Sequence, residues 1–211
     1  MISNIKTVAF QGVTTLNVDV QIHMAKGMPS FSIVGLPDKS VAESRDRIRA
    51  ALTSVNLAFP VKRITVNLSP ADLFKEGSHY DLPIALGLLI LIGAINQKDV
   101  DRFVVMGELS LDGSITSVSG VLPAAVNAYH RNHGLICPSS NGPEAAIVDN
   151  LEIIAPSHLV ELIDYLKFGT QIKFPQKQKN LQNQFIPDLK DVKGQYVAKR
   201  ALEIAAAGGH N

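Results

Sequence analysis

The run from Leu82 to Ile95 (Leu-Pro-Ile-Ala-Leu-Gly-Leu-Leu-Ile-Leu-Ile-Gly-Ala-Ile) contains no charged side chain. It is about fourteen residues long and includes Pro83, Gly87 and Gly93, so it falls short of the roughly 20 residues needed to span a bilayer. Its composition predicts a helix that is apolar all round, and such a helix must be enclosed by other elements. A chain of 211 residues with 46% hydrophobic content can supply that enclosure as one core plus a short appendage.

Elsewhere the apolar pattern changes period. Leu16 to His23 alternates apolar and polar residues, and Ile5 to Phe10 does so more loosely before Gly12-Val13-Thr14, which predicts a β-hairpin. Phe31 to Val34 is a third strand, stopped by Gly35-Leu36-Pro37, and Asp38 is placed to cap the following helix. In that helix Val41, Ile48, Leu52 and Val55 share a face, Arg45 and Arg49 run along its edge, and Arg47 falls on the far side. Arg63 to Leu68 is a strand by its β-branched content, ended by Ser69-Pro70. Phe103 to Met106 and the segment around Ile115 are predicted strands joined through the Asp112-Gly113 turn. Helix and strand then alternate: Leu122 to Arg131, Leu135 to Cys137, Pro143 to Val148, Leu151 to Ala155, His158 to Leu166. That alternation predicts an α/β (α+β) arrangement, a mixed sheet with at least one parallel strand pair, covered by helices.

Gly169 to Ile186 carries three lysines, five glutamines, two asparagines and a proline, a linker composition. Three segments are therefore expected: a domain over 1–168, a linker over 169–186, and from 187 to 211 the start of a further module with one apolar-periodic helix. Twenty basic against nineteen acidic side chains leave a charge of +1, which excludes a broad uniform field, so any nucleic-acid contact must come from a local patch. Cys137 is the single cysteine and is expected to be buried; the N-terminus lacks an apolar signal core, so a cytoplasmic location is expected.

Several motifs occur in a characteristic order: Gly27-Met28-Pro29, Ile33-Val34-Gly35-Leu36-Pro37, Arg45-Asp46-Arg47-Ile48-Arg49, Pro60 to Leu68, Pro70-Ala71-Asp72, Lys75-Glu76-Gly77, Tyr80-Asp81-Leu82-Pro83, Gly107-Glu108-Leu109, Ser119 to Ala125, and Asp191 to Asn211. In this the chain resembles the front part of the ComM/YifB family of magnesium-chelatase-like AAA+ ATPases. The resemblance implies a ribosomal protein S5 domain 2-like fold, related to the Lon protease domain, followed by an AAA+ module that uses ATP and Mg2+, forms hexamers and acts on DNA in branch migration or natural transformation. It also implies that the chain stops short of the nucleotide loop. Val192, Gly194 and Gln195 resemble the segment that lies against adenine, but no G-x-x-x-x-G-K-[ST] phosphate cradle occurs, so no cofactor is expected for these residues alone.

Laid on the Lon serine–lysine dyad, the same resemblance puts His79 at the nucleophile position, with Ser78 one residue early, and Leu122 at the base position. Leucine accepts no proton and so cannot activate a hydroxyl, and no catalytic residue is assigned. The loop Pro70, Asp72, Lys75, Glu76, Gly77, Tyr80, Asp81 and Pro83 carries the family motif. Asp72, Glu76, Asp81, Glu108 and His79 match no compact metal-ligand spacing; Asp72 and Asp81 are expected to tie the loop through backbone N–H groups, with Lys75 and Glu76 solvated. A residual binding surface on this loop is the alternative.

Arg45, Arg47, Arg49, Lys62 and Arg63 form the best local basic group, read either as phosphate contacts or as solvated side chains paired with Asp38, Glu43 or Asp46, with no aromatic residues interleaved. The first reading of the whole is a non-catalytic module for assembly or DNA engagement. The alternatives are part of a metal-chelatase-type ATPase and a degenerate peptidase.

Overall fold

The computed structural model describes residues 2–12, 14–177 and 188–209. The contacts divide the chain into two units, Met1–Gln178 and Lys179–Asn211. In the first unit the alternating segments form β1 (Ile2–Gln11) and β2 (Thr14–Ala25), paired antiparallel from Ile2 opposite His23 to Gln11 opposite Thr14. There follow β3 (Ser30–Val34), α1 (Lys39–Ser54), β4 (Arg63–Ser69), α2 (Asp81–Leu91), α3 (Gln97–Val100), β5 (Phe103–Val105), β6 (Glu108–Leu109), β7 (Ile115–Thr116), α4 (Val121–His130), β8 (Gly134–Ile136), α5 (Gly142–Ala145), β9 (Ile153–Ile154) and α6 (Leu159–Phe168).

Seven strands make one mixed sheet in the order β3-β4-β2-β1-β5-β8-β9. The pairs β3–β4, β1–β5, β5–β8 and β8–β9 are parallel, while β4–β2 and β2–β1 are antiparallel. The parallel pairs follow from the crossover helices, which return the chain to the same end of the sheet.

The apolar run becomes α2, where every residue from Leu82 to Leu89 is buried. It lies against β1 and β2, and Gly87 permits the close approach: a Cβ there would come within 2.6 Å of Ile22 Cδ1, and Ser3 Oγ donates 2.9 Å to the Gly87 carbonyl. Ile5, Val20, Ile22, Val66 and Leu68 meet α1, α2 and α6 on this face of the sheet. At roughly 1.5–3 kcal/mol per fully buried aliphatic side chain, this layer dominates the packing energy. The opposite face is covered by α4 and α5 through Val8, Val104, Ala124, Ala128, Leu135 and Cys137. Over β3 and β4 that second face stays open, with Ser32, Val34 and Arg63 exposed. Cys137 is fully buried, and burial pushes its thiol up to about 12. None of the helices among the described residues is long and apolar enough to cross a membrane.

One strand pairing differs from the sequence expectation. The strand joined to Ile115 through the Asp112-Gly113 turn is the two-residue β6, with Leu109 opposite Ile115, and not β5, which sits inside the large sheet. Two residues are too few for a period to register.

Residues 170–177 form no helix or strand, but they lie on the first unit. Ile172 packs against the core, Pro175 fills the space beside Gly142 and Ala155, and Lys177 Nζ is 2.6 Å from Asp149 Oδ1. The remainder of the expected linker lies outside the described residues, as do Val13, Pro187, His210 and Asn211. In the second unit α7 (Tyr196–Gly208) is closed by Gly209 at φ +60°, the left-handed C-terminal position that glycine favours.

Candidate functional site

The family-motif loop is stitched onto the start of α1. Asp38 Oδ1 accepts from Val41 N at 2.7 Å and caps the helix, as its position before the periodic segment predicts, while Oδ2 accepts from Gly77 N at 3.2 Å. Backbone bonds join Lys75 N to Leu36 O at 3.1 Å and Asp38 N to Lys75 O at 2.9 Å. Lys75, expected to be solvated, is fully buried instead, with its ammonium donating to the Pro70 carbonyl. Burial lowers its pKa, and the nearby Asp72 opposes this. The hydrocarbon stem closes the space under the loop while the head satisfies a carbonyl, which residue type alone does not reveal. Glu76 and Asp72 are exposed, and among the described residues Asp72 accepts no loop N–H group.

Asp81 is the second departure. It is completely buried, and its partners are outside its own loop: Arg47 Nε at 2.6 Å, Arg47 Nη2 at 2.9 Å and Leu109 N at 3.2 Å. Arg47 therefore does not project from the far side of α1. It folds back past Ser44, donates 2.9 Å to Ser40 O, and joins α1 to the first turn of α2. Burial raises the Asp81 carboxyl, opposed by the bonds from Arg47, Ser44 and Leu109; the carboxylate in turn raises Arg47. Pro83 is the third residue of α2, where an N–H has no partner within the helix. Ser78 Oγ donates to the Glu108 carboxylate.

His79, which the resemblance lays on the nucleophile position, sits in a packed aromatic cluster. His79 is 5% exposed, its Nε2 lies 2.9 Å from Val8 O, and its ring is tilted against Tyr80 at 4.1 Å between centroids. Phe10 meets the other side of His79 at 5.5 Å, edge on. The same phenyl ring lies against Gly120, where a Cβ would stand 2.5 Å from Phe10 Cζ. The ring thus fills space between the histidine and the start of α4. Leu122, with Phe10, Ser119, Gly120, Pro123 and Val126, lines an apolar depression of about 540 Å³. Tyr80 is buried, its hydroxyl has no partner among the described residues, and burial pushes its phenol upward.

Burial holds the His79 imidazole below its ordinary range, against the raising effects of the Val8 carbonyl and Asp38. The unfolded chain takes up this proton near pH 6.5, whereas the folded chain does so only at lower pH, so stability is present above about 6.5 and falls as pH drops through it. His79→Gln, which can still donate to Val8 O, is expected to flatten that acid limb by up to about 1.4 kcal/mol per pH unit in urea unfolding. An unchanged limb would contradict the assignment.

The basic residues divide between sites. Arg45, Arg49 and Lys62 line one pocket of about 120 Å³ together with Pro29, Ser30, Phe31, Phe59, Pro60 and Val61. Arg47 belongs to Asp81, and Arg63, beside the core-facing Ile64, points to the open face of the sheet. Among the described residues, Arg45, Arg49, Lys62 and Arg63 make no ion pair, whereas Arg47 also approaches Glu43 at 3.9 Å. The expectation that aromatic residues are absent here is corrected. Phe31 and Phe59 reach the pocket from segments on either side of α1, with ring centroids 6.0 Å apart, and the Arg49 guanidinium stands 5.9 Å from the Phe59 centroid. Phe59-Pro60, one residue before Lys62-Arg63, is the available signal.

Among the described residues no group of three or more His, Cys, Asp or Glu is placed to hold a metal ion. In the second unit Val192 is 45% exposed, Gly194 and Gln195 have positive φ, and Lys199 Nζ donates to Val192 O.

The mixed sheet with its covering helices is a Lon-protease-domain-like framework, and Lon protease 2 of Bacillus subtilis is 28% identical over 164 residues, 71% of this chain and 29% of that protein. Residues 20–141 match the family described as subunit ChlI of Mg-chelatase, and residues 188–211 match the family described as magnesium chelatase, subunit ChlI. Competence protein ComM of Haemophilus influenzae is 39% identical over 210 residues, 96% of this chain and 41% of that protein; YifB of Escherichia coli is 36% identical over 210 residues, 100% and 42%. The chain belongs to the ComM/YifB magnesium-chelatase-like family. It spans about two fifths of the length of these two relatives.

Proposed function

We propose that this chain is a non-catalytic accessory region of a magnesium-chelatase-like AAA+ ATPase, and that it engages DNA through Arg45, Arg49 and Lys62, with Arg63 as a flanking contact. The observation that carries the reading is the convergence on one pocket of three cations that have no carboxylate partner among the described residues. Unpaired cations at a surface are free to replace the counterions of a phosphate backbone, and doing so costs no existing ion pair. The name competence protein, borne by the Haemophilus relative, agrees with a role in DNA processing such as branch migration or natural transformation.

On this reading the motor activity, with its ATP, Mg2+ and hexameric assembly, belongs to a longer protein. Val192, Gly194 and Gln195 would contribute an adenine-side contact there. The domain over 1–168 would be the DNA-engaging body and the segment over 187–211 the start of the motor module, with the linker between them. The peptidase alternative has against it an aliphatic side chain at the base position and a histidine already bonded to Val8 O. A metal-chelatase role would rest on the family description alone.

The test is fluorescence anisotropy of a labelled oligonucleotide titrated with the 211-residue chain. Binding is expected, and Arg45→Glu with Arg49→Glu is expected to weaken it about tenfold or more, since two phosphate contacts become repulsions. No binding, or equal binding by the doubly reversed variant, would overturn the proposal.

A further inference from the structure

The pocket at the basic patch has two chemically different parts. Arg45, Arg49 and Lys62 supply a cationic rim, and Phe31, Phe59, Pro29 and Pro60 supply an apolar lining. Both phenylalanines are half-buried and packed against the core, so their rings are held in place before any ligand arrives. Such a combination suits a ligand that is anionic at one end and flat and apolar at the other. A nucleotide of a single strand has that form, with a backbone phosphate beside a base whose π-face is free to stack. In a duplex the base faces are already stacked, and only the backbone and the base edges in the grooves remain accessible. A pocket of about 120 Å³ admits one small planar ring or one phosphate and excludes a base pair.

We infer that this pocket selects single-stranded over duplex nucleic acid, with an unstacked base entering against Phe59 while Arg45, Arg49 and Lys62 hold the adjoining phosphates. The inference rests on the DNA-engagement reading above and adds strand preference to it. Arg49 lies within cation–π reach of Phe59, which orients the guanidinium over the pocket without neutralising it. It can serve the phosphate and flank the base together.

The experiment compares a labelled oligothymidylate with a duplex of equal length, using the 211-residue chain in anisotropy titrations. The parent chain is expected to prefer the single strand. Phe59→Leu, which keeps apolar bulk in the core, is expected to lower single-strand affinity about tenfold and leave duplex affinity unchanged, because an aliphatic side chain packs but offers no π-face. Phe59→Tyr is expected to retain the preference, and circular dichroism checks that both variants are folded.

Equal affinity for the two nucleic acids, or a Phe59→Leu variant as tight as the parent, would overturn strand selection and leave DNA engagement standing. Equal binding of both nucleic acids by the parent chain, with loss of both in the Arg45→Glu, Arg49→Glu variant, would likewise overturn strand selection and leave DNA engagement standing. Failure of the parent chain to bind either nucleic acid would overturn both. Displacement of the oligothymidylate by polyglutamate at an equal charge concentration would assign the pocket to an acidic peptide and overturn the inference.

Discussion

Replacing Asp81 by alanine is expected to destabilise the chain by about 3–5 kcal/mol, because it leaves the partly buried Arg47 guanidinium with only the Glu43 carboxylate, 3.9 Å away, as an anion. The carboxylate is wholly inaccessible and the Arg47 side chain is 20% exposed, so water can restore little of what is lost. The Leu109 N–H, which Asp81 accepts at 3.2 Å, loses its partner in the same step and loosens β6 from the start of α2. For a chain of this size each kcal/mol shifts the melting temperature by roughly 2–4 °C, so a fall of about 10 °C is expected in differential scanning calorimetry.

Pairing the change with Arg47→Met, and using Asp81→Leu, separates an ion pair from a general packing defect. Removal of both charges in favour of apolar groups is expected to recover much of the loss, with a coupling energy of about 1–3 kcal/mol. If Asp81→Ala melted with the parent, the ion pair would carry no stability, and the loop would be better read as a binding surface.

Gly35→Ala is expected to cost at least about 3 kcal/mol in urea unfolding, for two reasons that add. Gly35 has φ +104°, a region that side chains rarely enter, and strain of that kind costs roughly 1–3 kcal/mol. A Cβ there would also stand 2.2 Å from Leu68 O and 3.0 Å from Leu68 C, which are backbone atoms of β4 and cannot rotate aside. The strand β3 must therefore move off its neighbour, taking with it the turn that leads to Asp38 and α1. Gly93→Ala is the control: its φ is +77° but nothing lies within 4 Å of its would-be Cβ, so strain acts alone. Equal, small losses at both positions would show that β3 yields without cost.

The parts of the fold that were legible in the sequence are those fixed by local chemistry. Alternation announced the β1–β2 hairpin, Asp38 announced the start of α1, and the apolar run announced a buried helix with polar segments on either side. The sheet order was not legible, since placing β5 beside β1 depends on how two long crossovers pack and no local period encodes it. Helical periodicity places Arg47 on the far side of α1 because it gives the direction of a Cα–Cβ bond, whereas a long side chain can fold back to a carboxylate 34 residues away. Lys75 departs from its expected place for a related reason. Its charge suggested solvent, but its four methylenes are what the loop buries. Phe31 and Phe59 join Arg45 and Arg49 only once the strand and the loop bracketing α1 are in position, so no local pattern along the chain groups them.

If Arg45, Arg49 and Lys62 engage DNA from this Lon-like framework as proposed, their phosphate contacts set the salt dependence of binding. The most direct measurement is the slope of log K against log salt concentration for single-stranded DNA binding, in the parent chain and in the Arg45→Glu, Arg49→Glu variant. Each phosphate contact on a single strand contributes a slope of about −0.7, so the loss of two contacts predicts a line shallower by about 1.4. Parallel lines of equal affinity would place any DNA contact elsewhere on the chain and contradict the account.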